Sequence, residues 1–483
     1  MDHATRTIID YFEQINRIPR CSKQEQQISR WLQQWAMDRG MPVKSDSAGN
    51  LVLQVAASKG FEHAPVVILQ GHLDMVCEKQ DGSDHDFSKD PIRMVQEGPW
   101  LTAKETTLGA DNGIAIAIAL ALVDNPEVSH PPLELFFTVE EETGLTGVLK
   151  MDPSLLSGRT LINLDSEDEG VFVVGCAGGR NTTINRPLDL TILDGDHDLL
   201  SVSAQGMKGG HSGVDIAKHR ANANKVMARL LSAGMAVAPM RLVALKGGTG
   251  RNVIPRGCEA LVACRRESID ALERMIGSVA DLIGQEYKTA DPALNVYLDR
   301  KGPVNSGLRA VTVNDTAVAV NLLAALPSGP VDMTEDFPLL VQTSTNLSLV
   351  EIINDRLTVT ANQRSSVPSR LDAVCLAVEA VGRLAGARVQ TGTGYPSWPM
   401  NRASPLLTRA MTIYRDLFDA APTVQIMHAG LECGVIGDRC PGMDMISLGP
   451  TMENPHSPSE RLYLPSVEKV WRLMVALLKS LGP

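Results

Sequence analysis

Histidines and carboxylates occur in short polar motifs that end apolar stretches of the chain. The first is His72, in GHLD, and the last is His456, in the loop sequence ENPHSP. Between them come Asp111 in GADNG, a run of three glutamates at 140–142, and Asp165 in NLD. Imidazole nitrogens and carboxylate oxygens are the groups that hold zinc in catalytic sites, where one position stays open for water.

Each of these residues also has a structural interpretation when it is taken alone. His72 can be a hydrogen-bonded structural histidine, Asp111 can cap a helix, and the glutamate run can be a solvated face. Asp165 can belong to an acidic loop. Carboxylates gathered at the ends of apolar strands, however, lose water and repel one another, which costs several kcal/mol per buried charge. Cations relieve this cost, so the joint placement favours a metal site.

Two histidines and three carboxylates are what a site for two zinc ions needs, with one carboxylate bridging the ions. Two Zn²⁺ ions bring four positive charges, and Asp111, Glu142 and Asp165 bring three negative charges. One hydroxide neutralises the remainder and is the expected nucleophile. A glutamate of the run that is not a ligand can take the proton of the bridging water and pass it to the leaving amine.

Strand ends and a helix start are expected to position these residues. The run VILQGHLD predicts a strand whose period of two places His72 and Asp74 on one face, so that Asp74 can hold the imidazole ring. LELFFTV predicts the strand before the glutamate run, and residues 160–164 the strand before Asp165. Residues 112–123 predict a buried helix that begins next to Asp111. Open α/β sheets place their sites at such strand ends.

Helix and strand signals alternate over roughly the first 180 residues and again from about Met400. The strands there are short and wholly apolar, which favours a sheet covered on both faces. The region between them has longer strands with two-sided alternation, a hairpin turn predicted at Asn354–Asp355 and a helix predicted at Ile216–Ala233. We therefore predict an α/β fold, with a doubly wound catalytic domain formed by residues 1–184 and 395–483. A two-layer α+β lid domain, residues 185–394, is inserted into it.

Composition narrows the class of function and the expected partners. The chain has 483 residues, of which 44% are hydrophobic and 21% charged, so it can bury a large core. Its net charge of -11 disfavours nucleic acid as a partner, and no apolar run is long enough to span a bilayer. The N-terminal residues lack a signal-peptide pattern, and eight cysteines without a C-x-x-C pair suggest a reducing compartment. We expect a cytoplasmic protein that binds neither membranes nor nucleic acid.

Eight motifs resemble those of the aminoacylase/carnosinase family of di-zinc peptidases. The resemblance runs nearly from end to end of the chain. GADNGIA and HAGLECG point to the branch whose members act on aminoacyl-histidine dipeptides. The motifs are GHLDMV (71–76), TLGADNGIA (107–115), EEETGLTG (140–147), NLDSEDEG (163–170), KGGHSG (208–213), GRNVIP (250–255), HAGLECG (428–434) and ENPHSPSERL (453–462).

The resemblance implies roles for residues of the catalytic domain. Glu141 should be the general base, and Asp74 should support the histidine of its motif. Because Glu140 lengthens the run, an assignment shifted by one position stays open. The implied metal ligands are His72 and Asp165 for one zinc ion, Glu142 and His456 for the other, and Asp111 as the bridge.

The resemblance also assigns substrate-binding roles within the lid domain. His211 should donate a hydrogen bond to the carbonyl oxygen of the scissile bond, and Arg364 should bind the C-terminal carboxylate as a bidentate fork. Asn252 should bind substrate, and Gly430 should allow a close backbone approach. From the residues alone, His211 can equally be a turn residue and Arg364 a surface strand residue. A lid of about 210 residues, twice a single lid, favours catalysis without an obligate partner and leaves a homodimer open.

The expected function is hydrolysis of dipeptides of the Xaa-His type, such as carnosine, over a broad range of sequences. The expected cofactors are two Zn²⁺ ions, with Co²⁺ or Mn²⁺ as substitutes, and a metal-bridging hydroxide as the nucleophile. An N-acyl amino acid deacylase would use the same site and is the alternative enzyme. A catalytically silent metal-binding protein is the alternative from another class. The sequence leaves open the physiological metal, the preferred dipeptide, the oligomeric state and whether His211 acts within its own subunit.

Overall fold

The computed structural model describes residues 2–305, 307–335 and 340–482, and the chain divides into two compact units. Unit 2 is inserted into the sequence of unit 1. Unit 1 consists of Met1–Cys176, Trp398–Ile426 and Leu431–Pro483, and unit 2 of Ala177–Ser397 and Met427–Gly430. The predicted domain boundaries at 184/185 and 394/395 stay a prediction.

Unit 1 is built on a mixed sheet whose central strands are parallel. Val67–His72 lies between Leu133–Thr138 and Thr160–Asn163 and runs parallel to both. Asp444–Ser447 continues this parallel set on the far side of Thr160–Asn163. The strand order is Val43–Ser45, Leu51–Val55, Leu133–Thr138, Val67–His72, Thr160–Asn163, Asp444–Ser447, Val171–Cys176 and Thr423–Met427.

The central strands of unit 1 are apolar because both of their faces are buried. Every residue of Val67–His72 and of Leu133–Thr138 is buried. The buried helix predicted at 112–123 is present as Ala110–Asp124, and it packs in the main core with the helix His3–Asn16. The helices of unit 1 in the described chain are His3–Asn16, Gln26–Met37, Ala110–Asp124, Thr146–Leu149, Pro405–Phe418, Glu432–Arg439 and Leu464–Ser480.

A small antiparallel sheet in unit 1 joins distant parts of the chain. Its strands are ordered Met452–Glu453, Arg461–Tyr463, Trp100–Ala103 and Met94–Glu97. The loop between the first two of these strands carries His456. Pairing of Arg461–Tyr463 with Trp100–Ala103 therefore anchors this loop to the segment that precedes Asp111.

Unit 2 is built on an antiparallel sheet made of two halves. The halves meet where Met240–Gly247 and Val341–Ile353 pair over Lys246–Glu351 and Gly247–Val350. Gly329–Met333 pairs with Val341–Ile353 beside the main path of the sheet. Along that path the order is Asn295–Pro303, His197–Gln205, Cys258–Arg265, Met240–Gly247, Val341–Ile353, Arg356–Ser365, Gly178–Pro187 and Arg388–Thr391.

One face of the unit 2 sheet packs against helices. In the strand His197–Gln205, the core residues Leu200, Val202 and Ala204 alternate with less buried serines, as expected when one face is covered. The helices over this core are Ala223–Met235, Ile269–Tyr287, Val313–Ala325 and Pro368–Leu384. The predicted α/β fold with an inserted two-layer α+β region is therefore confirmed.

Local predictions within unit 2 were mixed. The hairpin turn predicted at Asn354–Asp355 is confirmed, since Ile353 pairs with Arg356 and Asn354 has a φ of 55°. A helix predicted to begin at Ile216 was wrong at its start. A short 3₁₀ turn spans Ile216–Lys218, and the α-helix begins at Ala223 because the Asn222 side chain caps it by accepting from two backbone N–H groups.

The cysteines differ from the expectation of free thiols. Cys21 and Cys77 form a disulfide with their Cα atoms 5.7 Å apart. They are separated by 56 residues, so no spacing motif marks them in the sequence. The other six are free and buried. In the described part of the chain, no helix combines the length and apolar character needed to cross a bilayer.

Candidate active site

Three neighbouring parallel strands bring predicted site residues to one edge of the unit 1 sheet. His72 is the last residue of Val67–His72, and Asp165 follows Thr160–Asn163 by two residues. Glu141 and Glu142 follow Leu133–Thr138 in a loop. Because the strands are parallel, their carboxyl ends meet, and the side chains meet with them.

Asp111 and His456 reach the same edge from other elements. Asp111 lies in the first turn of Ala110–Asp124, where its backbone is not helical, and its peptide bond to Asn112 is cis. His456 lies in the loop of the small sheet with a φ of 60°, a conformation uncommon outside glycine. Asp111 lies between the two histidines, 3.0 Å from each Nε2 atom through its two oxygens.

The side chains form two groups of potential metal ligands that share Asp111. His72, Asp111 and Asp165 form one group, and Asp111, Glu142 and His456 form the other. In each group, the ligand atoms lie within 4.8 Å of one another. His72 Nε2 is 3.4 Å from Asp165 Oδ1, and His456 Nε2 is 2.9 Å from Glu142 Oε1. A third group, with Glu141 and Glu142 around His72, overlaps both.

The two histidines supply the positive charge of this arrangement. Burial lowers the pKa of His456, but the neighbouring carboxylates of Asp111 and Glu142 raise it to about 11. For His72, burial also lowers the pKa, whereas Asp165 and Asp111 raise it well above its usual range. Burial raises the pKa of Asp165, and with Asp111 it raises that of Glu142. The carboxylates thus need cations beside them to stay ionised.

The donor set fits two divalent cations. Glu142 Oε1 is buried and accepts no hydrogen bond, although His456 Nε2 lies 2.9 Å away. A carboxylate oxygen and a ring nitrogen that face each other without a hydrogen bond suit a shared cation. The mixture of imidazole and carboxylate donors is one that zinc accepts.

Asp74 supports this cluster through polar contacts to His72 and to the glutamate loop. His72 Nδ1 lies 3.1 Å from the Asp74 carbonyl oxygen and 3.4 Å from its Oδ1, which leaves Nε2 directed at Asp111 and Asp165. The same carboxylate accepts from the backbone N–H groups of Glu141 and Glu142 at 3.0 and 3.2 Å. Asp74 therefore fixes a histidine and the glutamate loop together.

The glutamate run separates its members by backbone geometry. Glu140 has a φ of 51°, and its N–H donates to Glu25 Oε1. Only Glu141 and Glu142, not Glu140, occur among the potential ligand groups of the described residues. Burial, together with Asp165 and Glu142, raises the pKa of Glu141 well above its usual range, while His72 opposes this.

Unit 2 gathers the residues predicted to bind substrate. His211 and Val253 pair across the short strands Gly210–His211 and Val253–Ile254, and the Asn252 carbonyl accepts from the Ser212 N–H at 2.8 Å. The backbone N–H groups of Gly213 and Val214 donate to His211 Nδ1. In the neutral ring, the proton therefore resides on Nε2, the atom that the predicted donor role requires.

Arg364 is buried beside His211. Its Nη2 lies 3.4 Å from His211 Nε2, and its Nη1 donates to the Tyr395 hydroxyl at 2.6 Å. A Cβ at Gly430 would lie 2.6 Å from the Tyr395 ring, so only glycine fits at this position. His211, Arg364 and Gly430 are thus brought together, and Asn252 adjoins them through its backbone.

Several polar residues at these sites were not selected from the sequence. Asn112 accepts from the His72 N–H and donates to the Leu164 carbonyl, so it joins two strand ends. Glu432 is buried, and burial raises its pKa to about 8. His428 bonds through Nε2 to Ser344, while its Nδ1 has no partner. All three lie in the quoted motifs GADNGIA and HAGLECG, which were the available signal.

Comparison with known proteins agrees with this fold. Residues 202–291 match the peptidase dimerisation domain of M20 peptidases. The chain is 36% identical over 472 residues to the cytosol non-specific dipeptidase of Escherichia coli (strain K12), covering 98% of this chain and 97% of that protein. The crystal structure of aminoacylhistidine dipeptidase from Vibrio alginolyticus is similar, with a TM-score of 0.87 and 34% identity over 99% of this chain and 96% of that one.

A more distant structure shares the fold alone. The aminopeptidase PepT from Bacillus cereus superposes with a TM-score of 0.57 at 15% identity, covering 99% of this chain and 98% of that one. The Escherichia coli and Vibrio alginolyticus relatives match over nearly their whole length. The chain therefore belongs to the M20 family of peptidases, as the motif resemblance predicted. The prediction of a hydrolase that acts on peptide bonds is confirmed at this level.

Proposed function

We propose that this chain is a metallo-dipeptidase that hydrolyses dipeptides, including those of the Xaa-His type. The observation that carries the proposal is the pair of ligand groups joined by Asp111, with Glu141 directly beside them. The names of the Escherichia coli and Vibrio alginolyticus relatives support dipeptides as substrates.

The proposed cofactors are two divalent cations, with zinc as the expected ion and cobalt or manganese as substitutes. His72 and Asp165 would hold one ion, Glu142 and His456 the other, with Asp111 between them. Bound there, the ions would polarise the substrate carbonyl and lower the pKa of a water molecule. Their four positive charges nearly balance the three ligand carboxylates.

Glu141 is assigned the proton transfer. It adjoins the ligand Glu142, and the N–H groups of both residues are held by Asp74, so the glutamate loop has a fixed position. Its carboxylate takes a proton from the attacking water and passes it to the nitrogen of the leaving amine. Asp74 keeps the His72 ring oriented during both steps.

Residues of unit 2 are assigned to substrate recognition. His211 donates Nε2–H to the carbonyl oxygen of the scissile bond, which stabilises the charge that develops there. Arg364, oriented by Tyr395, binds the C-terminal carboxylate of the dipeptide. A cation at this position selects short peptides because a longer chain has no carboxylate there. Asn252 and Gly430 are assigned to the same binding region.

Hydrolysis of Ala-His, Gly-His and carnosine tests the proposal directly. Turnover should disappear after chelation and return when Zn²⁺, Co²⁺ or Mn²⁺ is added. Glu141→Gln should lower kcat by about 10²–10⁴-fold with two ions still bound, whereas Glu140→Gln serves as the matched control. Turnover that survives chelation would refute the metal mechanism. Faster cleavage of N-acetyl amino acids than of free-amine dipeptides would favour the deacylase instead.

Location and assembly belong to the same proposal. The cytosolic name of the Escherichia coli relative supports a cytoplasmic location, whereas the Cys21–Cys77 disulfide argues for oxidising conditions. The match to a peptidase dimerisation domain supports a homodimer. Sedimentation of the metal-loaded protein over a range of concentrations gives the oligomeric state.

A further inference from the structure

We propose that Glu460 and Arg20 are positioning residues that hold Asp111 in place for metal binding. The inference rests on the proposed function, because it concerns the carboxylate that would bridge the two ions. Neither residue reaches the ligand groups with its own side chain. Both act on the backbone of the loop that leads into Asp111.

Glu460 accepts hydrogen bonds from four consecutive backbone N–H groups. Its Oε2 accepts from Leu108 at 2.7 Å and Gly109 at 2.9 Å, and its Oε1 accepts from Ala110 at 2.7 Å and Asp111 at 3.3 Å. The residue is only 2% exposed. A single buried carboxylate thus satisfies the free N–H groups at the start of Ala110–Asp124.

This arrangement explains why the Asp111 carboxylate is free to bind a metal. An aspartate in the first turn of a helix commonly caps the helix with its own side chain. Here the capping residue is Gly109, which has no side chain to accept from these N–H groups. Glu460 accepts from them instead. The two oxygens of Asp111 are left for His72 and His456.

Arg20 holds the same loop through a backbone carbonyl. Its Nη2 donates to the Gly109 carbonyl at 2.5 Å, and its Nη1 donates to the carbonyls of Leu73 and Asp74 at 3.3 and 3.2 Å. The guanidinium is buried at 1% exposure. One side chain therefore ties the loop after His72 to the loop before Asp111.

The loop sequence is adapted to these contacts. Gly109 has a φ of 69°, and a Cβ there would lie 2.5 Å from Arg20 Nη2 and 2.8 Å from Met75 Sδ. Gly109 is therefore held through its N–H by Glu460 and through its carbonyl by Arg20. Because the two side chains have opposite charges, they add no net charge beside the ligand groups.

Glu460 also connects Asp111 to the second histidine. It lies in the same loop as His456, four residues further on, and its own N–H donates to Ser457 at 3.0 Å. Movement of Glu460 would therefore displace two ligands of the group formed by Asp111, Glu142 and His456. This group should depend on Glu460 most strongly.

Metal titration of the full-length protein tests the inference. Glu460→Gln keeps the shape of the side chain, but its NH2 group is a donor and cannot accept from the two N–H groups that one carboxylate oxygen of Glu460 accepts from. We expect this variant to bind Zn²⁺ or Co²⁺ 10–100-fold more weakly at one or both sites, by calorimetry on chelator-treated protein. The Co²⁺ absorption spectrum gives a second readout of ligand geometry, independent of turnover.

Glu134→Gln is the matched control. Glu134 is equally buried at 1% exposure and accepts from the N–H groups of Ser157 and Gly158, at the opposite end of its strand from the glutamate loop. Its loss should lower stability while metal affinity stays at the wild-type value. Glu460→Asp restores the charge with a shorter reach, so its metal affinity should lie between those of Glu460→Gln and wild type, and it serves if the amide variant does not fold.

The outcomes separate this inference from the function on which it rests. If the wild type neither binds two ions nor hydrolyses dipeptides, the proposed function fails. If the wild type does both, unchanged affinity in the Glu460 variants would overturn the positioning role. Equal weakening by Glu134→Gln would overturn it too, because general destabilisation would then account for the effect.

Discussion

At the scale of single residues, one buried histidine in unit 2 has an unusually low pKa. His428 bonds through Nε2 to the Ser344 hydroxyl at 2.8 Å. Burial, followed by the positive charges of Arg364 and His211, lowers its pKa to about 3. The folded chain therefore keeps this ring neutral under conditions in which an unfolded histidine, with a pKa near 6.5, is protonated.

This difference predicts a loss of stability in acid. Because the folded pKa lies below the unfolded one, the unfolded chain binds the extra proton between about pH 6.5 and pH 3. The free energy of unfolding should fall as the pH drops through this window. His428→Gln keeps a polar partner for Ser344 and does not titrate. Between pH 7 and pH 5, the wild type should lose about 1–2 kcal/mol more than the variant in urea titrations.

The same pH dependence in both proteins would show that His428 is not held neutral. Urea titrations at constant ionic strength with a chelator present exclude metal release as a cause. At pH 7 the stabilities of the two proteins provide the reference, since the His428 ring of the wild type is mostly unprotonated there even in the unfolded chain.

At the scale of elements, glycines show how tightly a helix is packed beside the site. Gly113 lies in Ala110–Asp124, where a Cβ would meet Arg20 Nη2 at 2.6 Å and Phe12 Cε2 at 2.9 Å. Gly284, in the helix Ile269–Tyr287 of unit 2, has no atom within 4 Å of that position. The same substitution therefore meets opposite conditions in two helices.

Gly113→Ala should destabilise the protein by about 1–3 kcal/mol, because Arg20 and Phe12 must move. Gly284→Ala should stabilise it by up to about 1 kcal/mol through better helix propensity. Thermal unfolding of both variants beside the wild type measures the difference. A Gly113→Ala variant that melts no lower than the wild type would show that the helix is loosely packed at Arg20.

The disulfide is the second feature that belongs to this scale. Cys21 and Cys77 close a loop of 56 residues, and Ser22 beside Cys21 donates to Asp74. In the chain-entropy description, a loop of this length stabilises the folded state by up to about 4 kcal/mol. Denatured protein prepared without reductant should therefore show six reactive thiols, rising to eight after reduction.

Reduction should also lower the melting temperature, and Cys21→Ser/Cys77→Ser should reproduce the effect. Eight reactive thiols before any reductant would show that the pair is not bonded in the isolated protein. That result would favour the reducing compartment inferred from the sequence.

At the scale of the whole molecule, the sequence predicts best what depends on local pattern. Strand ends, apolar runs and the Asn354–Asp355 turn are local signals, so the α/β unit and the meeting of its strand ends with His72 and Asp165 could be predicted. Glu460 accepts hydrogen bonds from four N–H groups whose residues are 349 to 352 positions away from it in the sequence. Backbone donors leave no pattern in a sequence, so this contact could not be predicted, and neither could the Cys21–Cys77 pair.

The distribution of ligands leads to a prediction about where metal binding stabilises the chain. All five proposed ligands belong to unit 1 and come from segments far apart in sequence, and none belongs to unit 2. A ligand that binds only the folded state stabilises it by about 2.7 kcal/mol at a hundred times its Kd. Hydrogen exchange should slow on metal addition around residues 108–113, 139–145 and 454–460, while the helix Pro368–Leu384 changes little. His456→Asn should abolish the metal-dependent slowing of hydrogen exchange around residues 454–460. Slowing of equal size in both units would contradict a metal site formed by unit 1 alone.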